Sequence, residues 1–303
     1  MWLAGNGGLD LTAPVPKVVW NPRDYAANSA AQLAWARDLI ARLKLRGDER
    51  VLDVGCGDGK VTAEIARSLP RGAIIGVDSS SEMIQFAKDA LLARPLPNLE
   101  FQAMDARALQ FTQRFDVVFS NATLHWVDDH PAFLAGAAAG LKPGGRLVVS
   151  CGGHGNAHDV FTALRGTLRL RRWRQYFRRL AAPYFFHGPE AYEKWLPRFG
   201  FQPGVVRLAD KDTTFTGRAG LAAWIRTTWL PYTQRVPAEL RETFIAEVVE
   251  RFALQHPPDP QDRLTVRMVR LEIDAVKSGV PVRDLARFNQ PQPTETVRGA
   301  RRP

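Results

Sequence analysis

Val51-Leu52-Asp53-Val54-Gly55-Cys56-Gly57-Asp58-Gly59 is the stretch on which the reading of the fold turns. Val51 to Val54 has the composition of a buried strand. It runs into a turn with glycine at every second position, and a helix with Val61, Ile65 and Leu69 on one face begins at Lys60. Glycine permits positive φ and lets a ligand approach the main chain closely. Such a turn exposes N–H groups at a helix N-terminus, which suits an anion or a polar ligand. A nicotinamide dinucleotide is the obvious occupant, but its fingerprint is G-x-G-x-x-G around a pyrophosphate. Here the spacing is G-x-G-x-G, and Asp53 and Asp58 flank the turn. Carboxylates repel a pyrophosphate and favour a phosphate-free ligand carrying positive charge.

Outward from the turn, strands and helices alternate. Ala73 to Val77, Leu99 to Met104, Phe115 to Ser120 and Arg146 to Ser150 read as further strands. Ser79 and Glu82 form a capping box opening a helix with Met83, Ile84 and Ala87, and Ala132 to Leu141 is another helix. A helix over Ser29 to Leu45 precedes the first strand. This order predicts an α/β fold, with a parallel sheet and helices on both faces. Ligands of such sheets lie beyond the carboxyl ends of the strands. Asp78 closes the second strand, about 20 residues past the turn, where an acid accepts hydrogen bonds from ribose hydroxyls. Asp105 closes the third and is placed for an adenine amino group. Residues 154–200 read as mostly helical, Val205 to Phe215 as a strand, Leu221 to Gln255 as a helical block and Val266 to Val276 as the last strand. A helical insertion between the last two strands would form a lid over the strand ends.

These segments together resemble the class I S-adenosylmethionine-dependent methyltransferases over about residues 20–150. The resemblance implies a Rossmann-like, mostly parallel seven-stranded sheet with a helical lid, and S-adenosyl-L-methionine as cofactor. It implies Gly55, Cys56, Gly57 and Gly59 around the methionine part, with Asp53 near that loop. Asp78 and Ser79 fall at the ribose, Met83 against the adenine, and Asp105 with Ala106 at the adenine edge. Cys56 reads as a small loop residue, not a nucleophile. Asn121, after the fourth strand, falls where the family faces the transferring methyl group. Amino-group methyltransferases acting on nucleic-acid bases tend to carry Asn/Asp-Pro-Pro-Tyr/Phe there; this chain has Asn121-Ala122-Thr123-Leu124. Leu124-His125-Trp126, with Trp20-Asn21-Pro22 and Tyr25, resembles the trans-aconitate methyltransferases, and malonyl carrier-protein and juvenile-hormone-acid methyltransferases are of similar layout. These resemblances imply a carboxylate oxygen as methyl acceptor, with Trp20 and Tyr25 in the cofactor-binding set.

A carboxylate is ionised at neutral pH, so positioning and desolvation can supply most of the acceleration. His125 is then a base for a less acidic acceptor, a hydrogen-bond donor to substrate, or structural. Trp126 is a packing wall or a cation–π partner. Arg165, Arg169, Arg171, Arg172, Arg174, Arg178 and Arg179 interleave with Phe161, Leu164, Leu168, Trp173, Phe177 and Leu180 as an amphipathic basic helix. That helix is a solvated face, a carboxylate clamp with Arg172 as candidate, or a docking surface for an acidic carrier protein. Trp224, Trp229 and Tyr232 roof the acceptor pocket or pack in the core. His154, His158 and Cys151 do not make up a metal site, and none is expected.

The chain has 303 residues, a net charge of +10 and two cysteines. The expected organisation is an N-terminal segment closing over the cofactor (1–27), a cofactor-binding core (28–153), a C-terminal part with lid insertions and the last two strands (154–283), and a disordered basic tail (284–303). No apolar run approaches the ~18 residues that span a bilayer, and no secretory signal is visible, so the expected location is cytoplasmic. The positive charge suits an anionic partner, with a small acidic acceptor first. Nucleic acid is ranked lower because no RNA-binding module is recognisable. The alternatives are a cofactor-binding regulator or assembly factor, an RNA or protein methyltransferase, and a dehydrogenase.

Overall fold

A computed structural model describes residues 30–178, 180 and 182–279. Trp20, Tyr25, Arg179, the segment 1–27 and the tail 284–303 lie outside the described residues. Helix α1 (Ala30–Leu43) leads into β1 (Arg50–Val54), α2 (Lys60–Arg67), β2 (Ala73–Asp78), α3 (Ser81–Ala93) and β3 (Leu99–Ala103). Strand β4 (Phe115–Asn121), α4 (His130–Gly140) and β5 (Leu141–Gly152) follow. The seven-stranded sheet has the order β3-β2-β1-β4-β5-β9-β6, where β6 is Phe201–Asp210 and β9 is Val269–Lys277. Only β9 runs against its neighbours in this sheet. β1 lies between β2 and β4, so the direction of winding reverses beside it. A crevice opens at that point beyond the carboxyl ends of the strands.

Alternate residues of the sheet serve its two faces. Leu52, Val118 and Leu147 meet Phe133 and Leu134 of α4 and Leu196 of α6 (Pro189–Arg198). Val51, Phe119 and Val148 meet Leu39, Ile65 and Ile84 of α1, α2 and α3. A third cluster belongs to a helical unit. It joins α5 (His158–Leu168) to α7 (Gly217–Thr228), α8 (Leu230–Thr233) and α9 (Arg241–Gln255). The last three, flanked by β7 (Thr213–Thr216) and β8 (Arg263–Val266), are inserted between β6 and β9. β7 and β8 pair antiparallel as a neck. The chain leaves the sheet at Asp210 and returns at Val269, which are register partners. Both lie on the side where β1, β2, β4 and β5 end, so the insertion stands over those ends.

Five local expectations need correction. The helix after β2 is capped by Ser80, whose Oγ accepts from Met83 N at 3.2 Å, not by Ser79. Asp78 takes the N–H of Ser80 and so fixes the turn one residue later. Val205 to Phe215 is two strands in two sheets, and Val266 to Val276 likewise divides into β8 and β9. The region 154–200 holds α5 and α6, but 182–188 between them is not helical. The arginine-rich stretch is not one helix. It breaks after Leu168 because Trp173, off the apolar face of α5, turns inward against Phe244 and donates to Glu247 Oε2 at 2.8 Å.

Candidate active site

The glycine turn is pinned to the end of β2. Gly55 N and Cys56 N both donate to Val77 O, at 2.7 and 3.0 Å. Gly55, Gly57 and Gly59 all have positive φ, at 79°, 53° and 76°. A Cβ at Gly55 would overlap the side chain of Thr123, whose Oγ1 donates to Gly55 O at 3.1 Å. Gly57 N donates to Asp78 Oδ2 at 3.0 Å, while Ser80 N donates to Oδ1 at 2.9 Å. Asp78 is thus clamped at the lip of the turn. Burial raises its pKa, and the main-chain N–H bonds act against that rise.

Beyond this lip lies a cavity of about 170 Å³. Its lining includes Gly55, Gly57, Asp78, Ser79 and Met83, together with His125, Trp126, Trp224 and Trp229. These nine candidates meet around one space, although they come from four separate stretches of chain.

Other candidates stand elsewhere. Asp53 is 2 % exposed and accepts from Thr62 Oγ1 at 2.7 Å, tying β1 to α2. Burial pushes its pKa up to about 7, the Thr62 bond opposing and Asp78 adding to the rise. Asp58 pairs with Lys60 at 3.1 Å. The negative charge in the cavity lining is therefore that of Asp78, not of the two acids flanking the turn. Cys56 is buried in the cluster below the turn. Gly59 makes room for the Phe101 ring behind it and does not line the cavity. Asp105 is held in the fork of Arg107, with Nη2 at 2.7 Å, and Arg107 reaches on to Asp128. That bond holds the Asp105 carboxyl below its ordinary pKa. Ala106 is buried in the core beside it and also lies off the cavity lining. Tyr232 is 6 % exposed within the helical unit, against Phe161 and Trp229. Arg172 is exposed and pairs with Glu247 of α9. Neither it nor its neighbours Arg169, Arg171, Arg174 and Arg178 lines the cavity.

His125 lines the cavity, but its Nδ1 is occupied, accepting from Gly152 N at 3.2 Å. The ring proton is therefore on Nε2. Desolvation lowers its pKa to about 3, and the charges of Arg270 and His130 add to this. Sequence reasoning missed Arg270, Trp35, Phe161, Tyr184 and Phe186, which also belong to the lining. Arg270 is the second residue of β9 and is only 4 % exposed. Its Nη2 donates to Ser150 O at 2.6 Å and to Asn121 Oδ1 at 3.2 Å, and its Nε to Ser150 Oγ at 3.2 Å. The guanidinium lies 5.2 Å from the centre of the Trp35 ring. Asn121, expected at the methyl position, thus acts on Arg270.

A family model described as "Methyltransferase domain" matches residues 51–145. Trans-aconitate 2-methyltransferase from Deinococcus radiodurans is 34% identical over 228 residues, 72% of this chain and 84% of the relative. The enzyme of that name from Streptomyces avermitilis is 32% identical over 82% of this chain and 92% of its own length. Among solved structures, the YcgJ protein from Bacillus subtilis superposes with a TM-score of 0.58 at 18% identity, covering 82% of this chain and 98% of that one. Phosphoethanolamine N-methyltransferase 2 from Haemonchus contortus, in complex with S-adenosylhomocysteine, gives 0.54 at 17% identity over 85% of this chain and 57% of that one. A left-handed glycine turn pinned at a sheet's winding reversal, a carboxylate clamped beside it and relatives at this identity over most of both chains have one reading: the chain belongs to the class I S-adenosylmethionine-dependent methyltransferases.

Proposed function

We propose that this enzyme transfers the methyl group to a carboxylate oxygen of a small acid bound against Arg270. The observation that carries the reading is the buried Arg270 guanidinium, fixed by three hydrogen bonds in the wall of the cavity that the glycine turn also lines. A guanidinium is always charged and little hydrated, which suits it to attract a carboxylate inside a cavity. Relatives that are trans-aconitate 2-methyltransferases support an acid as acceptor. The residues also fit the cofactor. The main chain at Gly55 and Gly57 permits close approach, and Asp78 offers lone pairs to ribose hydroxyls. S-adenosylmethionine, when bound, supplies a methyl group on a positively charged sulfur.

The protein's own residues then have limited tasks. Arg270 orients the acceptor carboxylate, His125 Nε2–H is a donor in the same cavity, and the aromatic walls exclude water from the anionic oxygen. A carboxylate needs no base, and a neutral His125 with its Nδ1 engaged is poorly suited to be one. At saturating cofactor the expected rate therefore changes by less than about twofold between about pH 5.5 and 8, because the acceptor acid and His125 both have pKa values below that window, and Asp53, pushed up to about 7, lies beneath the turn and off the cavity lining. A pH–rate profile rising about tenfold per unit would instead mark an acceptor that must lose its proton. Asp78→Ala is expected to weaken S-adenosylhomocysteine binding by about 1–3 kcal/mol in calorimetry, since the N–H groups of Gly57 and Ser80 lose their acceptor as well.

The acceptor class is tested with methyl-labelled cofactor and three fractions of a cell extract: small molecules, RNA and protein. Label in the small-molecule fraction is expected. Label confined to RNA or protein would overturn the proposal.

A further inference from the structure

The acceptor half of the cavity is walled by rings. Tyr184 and Phe186 stand parallel, 5.5 Å apart, with Trp126 4.8 Å from Tyr184. Phe161 meets Phe186 edge-on at 5.8 Å and Trp229 at 4.5 Å, and Trp224 lies 5.5 Å beyond Trp229. All six line the same cavity. The Tyr184 hydroxyl is turned to the protein itself, donating to Thr228 O at 2.9 Å, and His125 keeps its Nδ1 on Gly152 N, with Nε2–H as the donor it offers the cavity. Among the described residues, Arg270 is the one cationic side chain in the lining and Asp78 the one anionic.

From this distribution we infer that the acceptor is a monocarboxylic acid with a flat, apolar body, such as an aryl or conjugated acid, and not a compact polyacid. The inference rests on the carboxylate reading above. One carboxylate is matched by Arg270. A second or third would lie against ring faces or near Asp78, desolvated and without a counter-charge in the lining, which costs far more than it returns. A planar body, by contrast, stacks on the rings and fills the space between them.

The test compares kcat/KM for 3-phenylprop-2-enoic acid, benzoic acid and trans-aconitic acid with labelled cofactor. In parallel, tryptophan fluorescence reads the binding of each acid in the presence of S-adenosylhomocysteine. The aryl acids are expected to exceed trans-aconitic acid by at least about a hundred-fold in kcat/KM, and they alone are expected to quench the fluorescence at low concentration. Equal or better turnover of trans-aconitic acid would overturn the inference while leaving carboxylate methylation standing. Inertness of all acids beside labelling of an amine would overturn both. Trp126→Arg adds a second cation to a partly exposed wall position. It is expected to shift the ratio of the two acids toward trans-aconitic acid by about tenfold or more. An unchanged ratio in the folded variant would count against the role given to the ring wall.

Discussion

Gly57→Val is expected to abolish detectable binding of S-adenosylhomocysteine in calorimetry while the protein remains folded by circular dichroism. Gly57 has φ of 53° and lines the cavity, and its N–H holds Asp78 in place. A β-branched residue does not follow a left-handed path without a cost of about 1–2 kcal/mol, and its side chain would stand where the ligand approaches the main chain. Strain and occlusion therefore act together, and the clamp on Asp78 loosens as the turn shifts. Gly59→Val, by contrast, presses on Phe101 behind the turn. It is expected to lower stability more than affinity. Unchanged affinity in Gly57→Val would show that the cofactor does not use this turn.

Arg270→Met is expected to lower kcat/KM for the acid acceptor by about 100- to 1,000-fold, or ~3–4 kcal/mol, the scale for removing one member of a desolvated, hydrogen-bonded charge pair. S-adenosylhomocysteine affinity, measured by calorimetry, is expected to change by no more than about threefold, a shift of under 1 kcal/mol. Arg270→Lys restores only part of the loss, because a point charge on a flexible stem does not reproduce a guanidinium fixed by three hydrogen bonds. An equal fall in cofactor affinity and acceptor turnover would assign Arg270 to the cofactor and remove the main support for the acceptor proposal.

The half of the site proposed for the cofactor was legible in the sequence because its signals are local. Gly55, Gly57 and Asp78 sit at or just after the ends of strands whose apolar runs are unambiguous, and a parallel sheet delivers all such positions to one edge. Asp105 occupies the equivalent position after β3 but is held by Arg107, two residues on, so position alone did not decide its task. Asp53 is similar: a carboxylate beside the turn in sequence, yet directed beneath it toward Thr62.

The acceptor half was not legible, for physical reasons that can be named. Along β9, Val269, Leu271, Ile273 and Ala275 alternate with Arg270, Glu272 and Asp274. That pattern marks a strand with one solvated face. Here Arg270 and Glu272 are buried all the same. Helix α1 covers them, with Arg42 pairing to Glu272 at 2.7 Å and Trp35 lying over Arg270. No local pattern announces that a helix more than 200 residues earlier supplies the partner. Tyr184 and Phe186 lie in a non-helical stretch with no periodicity. They are brought to His125 by a single main-chain bond, Phe185 N to His125 O at 2.9 Å. The described arginines of 165–178 do not line the cavity, whose cation comes from a strand in which charge looks unremarkable.

The most direct measurement asks which atom receives the methyl group. The purified enzyme is incubated with tritiated-methyl cofactor and the small-molecule fraction of an extract, and the product is then treated with mild base. Transfer to a carboxylate oxygen gives a methyl ester, so the label is expected to leave as volatile methanol. Label that stays non-volatile through base treatment lies on nitrogen or carbon, and would contradict the assignment of Arg270 and its cavity to an acid.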